Sequence, residues 1–264
     1  MEKETIVQVG GNIDSALSGD YQIDIKSVLT EAWTLTKSSR MAINLGLVFV
    51  LVVGMLISLI ASSYMGGIEV VIADPQSTMI LNVIVTLLIW PFIAGIEMMG
   101  VLQAVGIKTN FKLTFAFLKR GSWVALCALL TSLLISIGFN LLIVPGIFLA
   151  VVLSLTIPLV VEKGMTPMKA IILCIKSLRF KWFQIFAIYL SLILVLLGIT
   201  LPLVFMANSS LAFIGIVLFF FGLSYLAPLY YNVKGILYRE IFGMTIHAVD
   251  AEQVKSDTNN TFSA

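Results

Sequence analysis

Charge is what this sequence has least of. Only 11% of its 264 residues are Asp, Glu, Lys or Arg, while 59% are hydrophobic. Soluble domains carry about 25% charged and about 45–50% apolar residues. The 16 basic and 14 acidic side chains are too few to solubilise the surface of a chain this long. A mean hydropathy of +1.07 equally excludes disorder, which needs low hydrophobicity and high net charge. The net charge of +2 gives no basis for a nucleic-acid partner. Histidine occurs once, as His247, so a His-based metal site or triad would have to borrow every other ligand. The two cysteines, Cys127 and Cys174, sit in no CxxC or Cys/His spacing and read as packing thiols without a disulfide. Paired carboxylates, a Gly-rich phosphate loop, a Ser/His/Asp set and an HExxH motif are all missing. The expectation is a non-enzymatic membrane protein with no catalytic residue, cofactor or metal.

Long apolar runs are what is there. A bilayer core of about 30 Å needs roughly 20 apolar residues in helical form. Stretches at 41–64, 79–103, 122–142, 144–162, 183–206 and 211–233 meet that length. The third and fourth nearly merge; Asn140 and Val144-Pro145-Gly146 are the break, so a tight hairpin is expected there. Asn208-Ser209-Ser210 divides the fifth from the sixth. The first 40 residues show no leader pattern, so the first span is expected to serve as an uncleaved targeting signal. Residues 1–22 read as a flexible tail, 23–244 as a six-helix membrane domain and 245–264 as a second flexible tail.

Orientation follows from the basic residues. Lys3, Lys26, Lys37 and Arg40 precede the first span; Lys108, Lys112, Lys119 and Arg120 follow the second. Lys163, Lys169, Lys176, Arg179 and Lys181 follow the fourth, and Lys234, Arg239 and Lys255 lie near the end. All of them fall on one side, whereas 65–78 has no basic residue and carries Glu69 and Asp74. Both termini are therefore expected in the cytoplasm.

The chain also looks like one unit used three times: a basic, partly apolar segment, a span, a hairpin and a returning span with proline. Pro91, Pro158 and Pro228 recur late in the second, fourth and sixth spans. With Pro145 they are the candidate hinges, although kinks that merely let helices pack are the plainer reading. The preceding segments are 24–37, then Asn110 to Arg120 with Phe111, Phe115 and Leu118, then the run from Thr166-Pro167 through Met168, Ile171, Ile172 and Ile175. Trp33, Trp123 and Trp182 mark the matching water boundary. The fold class expected is all-α, with six transmembrane helices in three hairpin repeats. Each repeat is preceded by a cytoplasmic interfacial amphipathic helix. Basic faces on these helices suit anionic headgroups, so membrane lipids are the expected partners, beside a membrane-protein partner.

Within the spans, Glu97 is the charge that reads as most buried, a candidate proton or cation site whose plainer reading is an ion pair or a neutral carboxyl. Ser132, Ser136 and Asn140 follow Ala128 at four-residue steps and form a small, mildly polar stripe. Such a stripe serves helix packing more readily than permeation.

Three stretches carry a resemblance. They are Gly19-Asp20-Tyr21 leading into Glu31-Ala32-Trp33; Val144-Pro145-Gly146 through Pro158, Glu162 and Pro167-Met168-Lys169-Ala170; and Tyr238-Arg239-Glu240-Ile241-Phe242-Gly243. Together they resemble a broad group of six-span bacterial inner-membrane proteins, similar to the membrane domain attached to some glycerophosphoryl diester phosphodiesterases. The resemblance covers most of 19–243. It implies the inner membrane and envelope or lipid physiology, and it carries no catalytic residue across. The expected role is an accessory factor or scaffold; the rival is a transporter or channel for a small or amphipathic solute.

Overall fold

The computed structural model describes residues 6–206 and 211–247. Helix makes up 85% of it, in the order β1 (Ile6–Val9), α1 (Ile13–Ser18), α2 (Ile25–Tyr64), α3 (Ile68–Ala73) and α4 (Pro75–Ala104). Two 3₁₀ turns, Phe111–Phe115 and Leu118–Arg120, lead into α5 (Gly121–Leu141). There follow α6 (Ile143–Val152), α7 (Thr156–Glu162), α8 (Pro167–Leu178), α9 (Trp182–Met206), α10 (Ala212–Phe242) and β2 (Met244–His247). Six helical stretches are long and apolar enough to cross a membrane. Their outward faces carry bare Leu, Ile, Val and Phe, such as Leu51, Leu194, Phe205 and Phe213. In lipid these side chains need no cover, and backbone groups bonded within each helix need no water.

The expected hairpin between the third and fourth spans is present and is sharper than expected. Only Leu142, in extended conformation, separates α5 from α6. Pro145 lies in the first turn of α6, where its missing N–H costs no bond. Gly138 and Gly146 meet across this hairpin: a Cβ on Gly138 would stand 2.9 Å from the Gly146 Cα. The fourth span is not one rod. Pro158 has no N–H for the Ser154 carbonyl, and the chain turns through 153–155 before α7 begins. By contrast Pro91 and Pro228 sit inside continuous helices, as does Pro202 of α9.

The segments before the odd-numbered spans take three different forms. Residues 25–40 are not a separate interfacial helix; they run unbroken into the first span within the 40 residues of α2. No proline or helix-stopping glycine interrupts Ile25 to Met41, so nothing ends the helix at the boundary. At about 1.5 Å per residue, α2 is roughly twice as long as the bilayer core is thick. Residues 110–120 form the 3₁₀ turns, opened by Asn110, whose side chain accepts from the Lys112 N–H at 3.0 Å. Only the third segment, α8, is a distinct α-helix with the expected two-sided character. The presumed tail at 1–22 contains β1 and α1; α1 is capped by the Asn12 side chain and stopped by Gly19 at φ 77°. The break at Asn208-Ser209-Ser210 and the tail from 248 onward lie outside the described residues.

The chain divides into two compact units. The first comprises Met1–Arg40, Met99–Thr109 and Lys176–Ala264. In it α9 packs along α10, α1 lies against α10, and β1 pairs antiparallel with β2 in the register Val9↔Met244 and Gln8↔Thr245. Its core is built from Ile185, Ile188, Val233, Leu237, Tyr238 and Phe242. The second comprises Met41–Met98 and Asn110–Ile175. Here α5 packs on α6 and α7 around Val124, Cys127, Val152 and Leu159. Phe111 and Phe115 join Phe49 and Phe92, with edge-on ring centroids 4.9–5.9 Å apart. Edge-to-face packing of this kind adds to simple burial.

Candidate functional site

The densest polar junction lies in the first unit, where α2, α4 and α10 meet. Helix α10 brings in Arg239, whose guanidinium grips Glu31 of α2 with both arms, Nη1 to Oε1 at 2.5 Å and Nη2 to Oε2 at 2.9 Å. Nη1 also donates to the Ala104 carbonyl at the end of α4, and Nε and Nη2 donate to Glu240. A planar guanidinium with five donors suits this fork-to-fork arrangement, which Lys could not copy. Around it run further bonds. Asn232 donates to Thr36 at 3.1 Å, both fully buried, and Gln103 donates to Thr109 at 2.7 Å. Arg40 stacks on the Tyr225 ring, 3.7 Å from its centroid.

Close backbone approach makes the junction tight. A Cβ on Gly235 would collide with the Gly100 carbonyl, and one on Gly100 with the Tyr231 carbonyl. Small residues at a helix crossing allow such contact. The Gly11 N–H donates to the Arg239 carbonyl at 2.9 Å, which docks the N-terminal segment on the end of α10. The Tyr21 hydroxyl donates to the Ser177 carbonyl at 2.7 Å, and burial pushes its pKa up to about 12, against the lowering effect of a backbone hydrogen bond at Lys181. Tyr21, Glu31 and Arg239 all belong to the stretches that carry the resemblance. None of this junction was named as a site from sequence; its one signal was opposite charges, Glu31 and Arg239, beside long apolar runs.

The site residues that were named fall in the second unit and do not converge. Glu97 is buried, 3% exposed, on α4. Cys127 is fully buried on α5. Ser132, Ser136 and Asn140 point outward and are exposed. Ser132 donates to its own helix at the Leu129 carbonyl, 2.9 Å, and Asn140 to the Ser136 carbonyl, 2.8 Å. Their stripe lies on an outer face, separate from buried Glu97. Among the hinge candidates Pro158 stands one turn beyond a true helix break; Pro91 is buried, its ring 3.1 Å from where a Cβ on Gly121 would be.

A second feature of this unit is a cavity of about 320 Å³ lined by Lys119, Arg120, Trp123, Val160, Gly164, Met165 and Thr166. Arg120 is held at its rim by donating from Nη1 to the Val161 carbonyl at 2.8 Å. Gly164 adopts φ 64°, a left-handed conformation that favours glycine, and a Cβ there would lie 3.3 Å from Nη1 of Arg120. Among the described residues no group of three His, Cys, Asp or Glu side chains is placed to hold a metal ion.

These features define a multi-pass helical membrane protein. In comparison with known proteins, the chain matches no family model, no curated protein and no solved structure.

Proposed function

We propose that the chain is a polytopic bacterial inner-membrane protein that acts without catalysis, as an envelope or lipid-associated accessory factor or scaffold. The observation that carries this reading is the Arg239 junction. It directs one guanidinium to two carboxylates and a helix-end carbonyl, which locks elements together rather than presenting a reactive group. The resemblance of residues 19–243 to six-span inner-membrane proteins supports the same reading.

For orientation, the basic residues argue that both ends face the cytoplasm. Pairing of β1 with β2 supports a common side, since strands from the two ends of the chain bond directly. An even number of candidate spans fits as well.

The test is capture of the full chain from membranes, followed by mass spectrometry of lipids and proteins together. Enrichment of a lipid class or a partner over bulk membrane is expected; recovery of neither overturns the reading.

A second reading, a transporter or channel for a small or amphipathic solute, is favoured by one observation, the burial of Glu97, 3% exposed, within the apolar helix α4. A Glu97→Gln variant with unchanged uptake, proton flux and lipid content would remove its support.

A further inference from the structure

Lys119 and Arg120, adjacent in sequence, both line the 320 Å³ cavity in the second unit, and both are exposed. No carboxylate among the described residues pairs with either cation. Glu162, two residues before Gly164 of the lining, does not itself line the cavity and bonds Lys163 at 3.1 Å. Arg120 has only one arm on Val161, so its fork is oriented while most of its donors remain for a ligand. Thr166 also lines the cavity, directly before the first residue of α8, whose helix dipole is positive at that end. The remaining walls are apolar: Val160, Met165 and the ring of Trp123, which is 49% exposed. Half-exposed tryptophan is the side chain that settles at headgroup depth.

From this set we infer that the cavity is a binding site for the phosphate of an anionic phospholipid, with the acyl chains running along the apolar side of Trp123. The chemistry required is a phosphate diester with net negative charge. Two unpaired cations and a hydroxyl satisfy it, and a zwitterionic headgroup brings an ammonium that these cations repel. A free phosphate ion shares the charge but gains nothing from Val160, Met165 and Trp123, so the lipid is the occupant. This site rests on the lipid-associated reading and gives that reading an address.

The test uses the full chain in detergent, titrated with phosphatidylglycerol, phosphatidylcholine or inorganic phosphate and read by native mass spectrometry. Lys119→Gln and Arg120→Gln are compared with Lys112→Gln, which removes a basic residue that does not line the cavity. One tightly held phosphatidylglycerol is expected, with roughly tenfold loss for each cavity variant, the scale of one charge-assisted hydrogen bond. Lys112→Gln is expected to bind like the wild type, and phosphatidylcholine and inorganic phosphate are expected to leave the bound lipid in place. Equal losses in all three variants would reduce the site to general surface charge and overturn it. Displacement by inorganic phosphate would overturn the lipid as occupant. Selective lipid retention untouched by Lys119→Gln and Arg120→Gln would overturn this site while leaving the lipid-associated reading standing. Among the described residues no hydrogen-bond or ion-pair partner of Lys119 is found, so its variant separates lost binding from lost folding.

Discussion

Arg239 and Glu31 face each other as a two-armed ion pair, 2.5 and 2.9 Å, across 208 residues of sequence. The Arg239 side chain is 17% exposed and Glu31 36%, so the pair lies between the exposed and buried extremes. Exposed pairs contribute about 0–1 kcal/mol, whereas breaking a buried one costs about 3–5 kcal/mol. Arg239→Gln is expected to lower stability by about 2 kcal/mol, because Glu31, Glu240 and the Ala104 carbonyl all lose their donor. Glu31→Gln is expected to cost less, since Arg239 keeps Glu240. Arg239→Lys is expected to fall nearer to Gln than to wild type, because one ammonium cannot hold three acceptors at once. Thermal melting of the purified protein and a double-mutant cycle between the two positions check this.

Gly235 and Gly198 give opposite outcomes for the same change. A Cβ on Gly235 meets the Gly100 backbone, while one on Gly198 meets nothing within 4 Å. Gly235→Ala is expected to force α4 and α10 apart, at or above the about 1–3 kcal/mol typical of overpacking. Gly198→Ala is expected to be neutral or to stabilise by about 0.5–1 kcal/mol, since alanine suits a helix interior better than glycine. Melting temperatures of the two variants under one condition decide it.

Val9 and Met244 are direct partners in the β1–β2 pair. Opposed residues in an antiparallel pair have Cβ atoms about 4.5–5.5 Å apart, close enough for a disulfide after small adjustment. With Cys127 and Cys174 replaced, Val9→Cys/Met244→Cys is expected to cross-link on mild oxidation, read as a mobility shift after cleavage between the sites. A Gln8→Cys/Met244→Cys pair is one residue out of register and is expected to cross-link poorly.

Tyr21 predicts a pH response of definite sign. Its hydroxyl is neutral in the fold, with a pKa raised by burial from 10.0 to about 12. The folded state therefore holds the proton more tightly than the unfolded one. The stability Tyr21 contributes is fully present below pH 10 and is lost as pH rises from 10 towards 12. The difference in melting temperature between wild type and Tyr21→Phe is expected to change over that window and to stay level below it. Taking the difference cancels the lysines that titrate in the same range.

Much of this architecture was legible because it is local. Spans follow from apolar run length, the hairpin at Leu142 from Asn140 and Val144-Pro145-Gly146, and α8 from Thr166-Pro167 with its two-sided pattern. What escaped is non-local or depends on the absence of a stop signal. The continuity of α2 was hidden because a change from polar to apolar residues looks like a boundary, although nothing there breaks a helix. Order in residues 6–18 depends on β2 and on Arg239 and Glu240, more than 200 residues away. The cluster of Phe111 and Phe115 with Phe49 escaped because its rings come from segments about 60 residues apart. Glu97 is buried, whereas the stripe of Ser132, Ser136 and Asn140 is exposed: a four-residue step fixes a helix face but not what that face meets.

A six-span bundle with both ends in the cytoplasm is tested most directly by side-specific labelling with a membrane-impermeant maleimide. The background lacks Cys127 and Cys174, and single cysteines replace the exposed residues Asp20, Gln76 and Met168. Gln76→Cys, between the first two spans, is predicted to label from outside intact cells. Asp20→Cys and Met168→Cys are predicted to label only in inverted vesicles. Labelling of Asp20→Cys from outside, or of Asp20→Cys and Met168→Cys on opposite faces, would contradict the account.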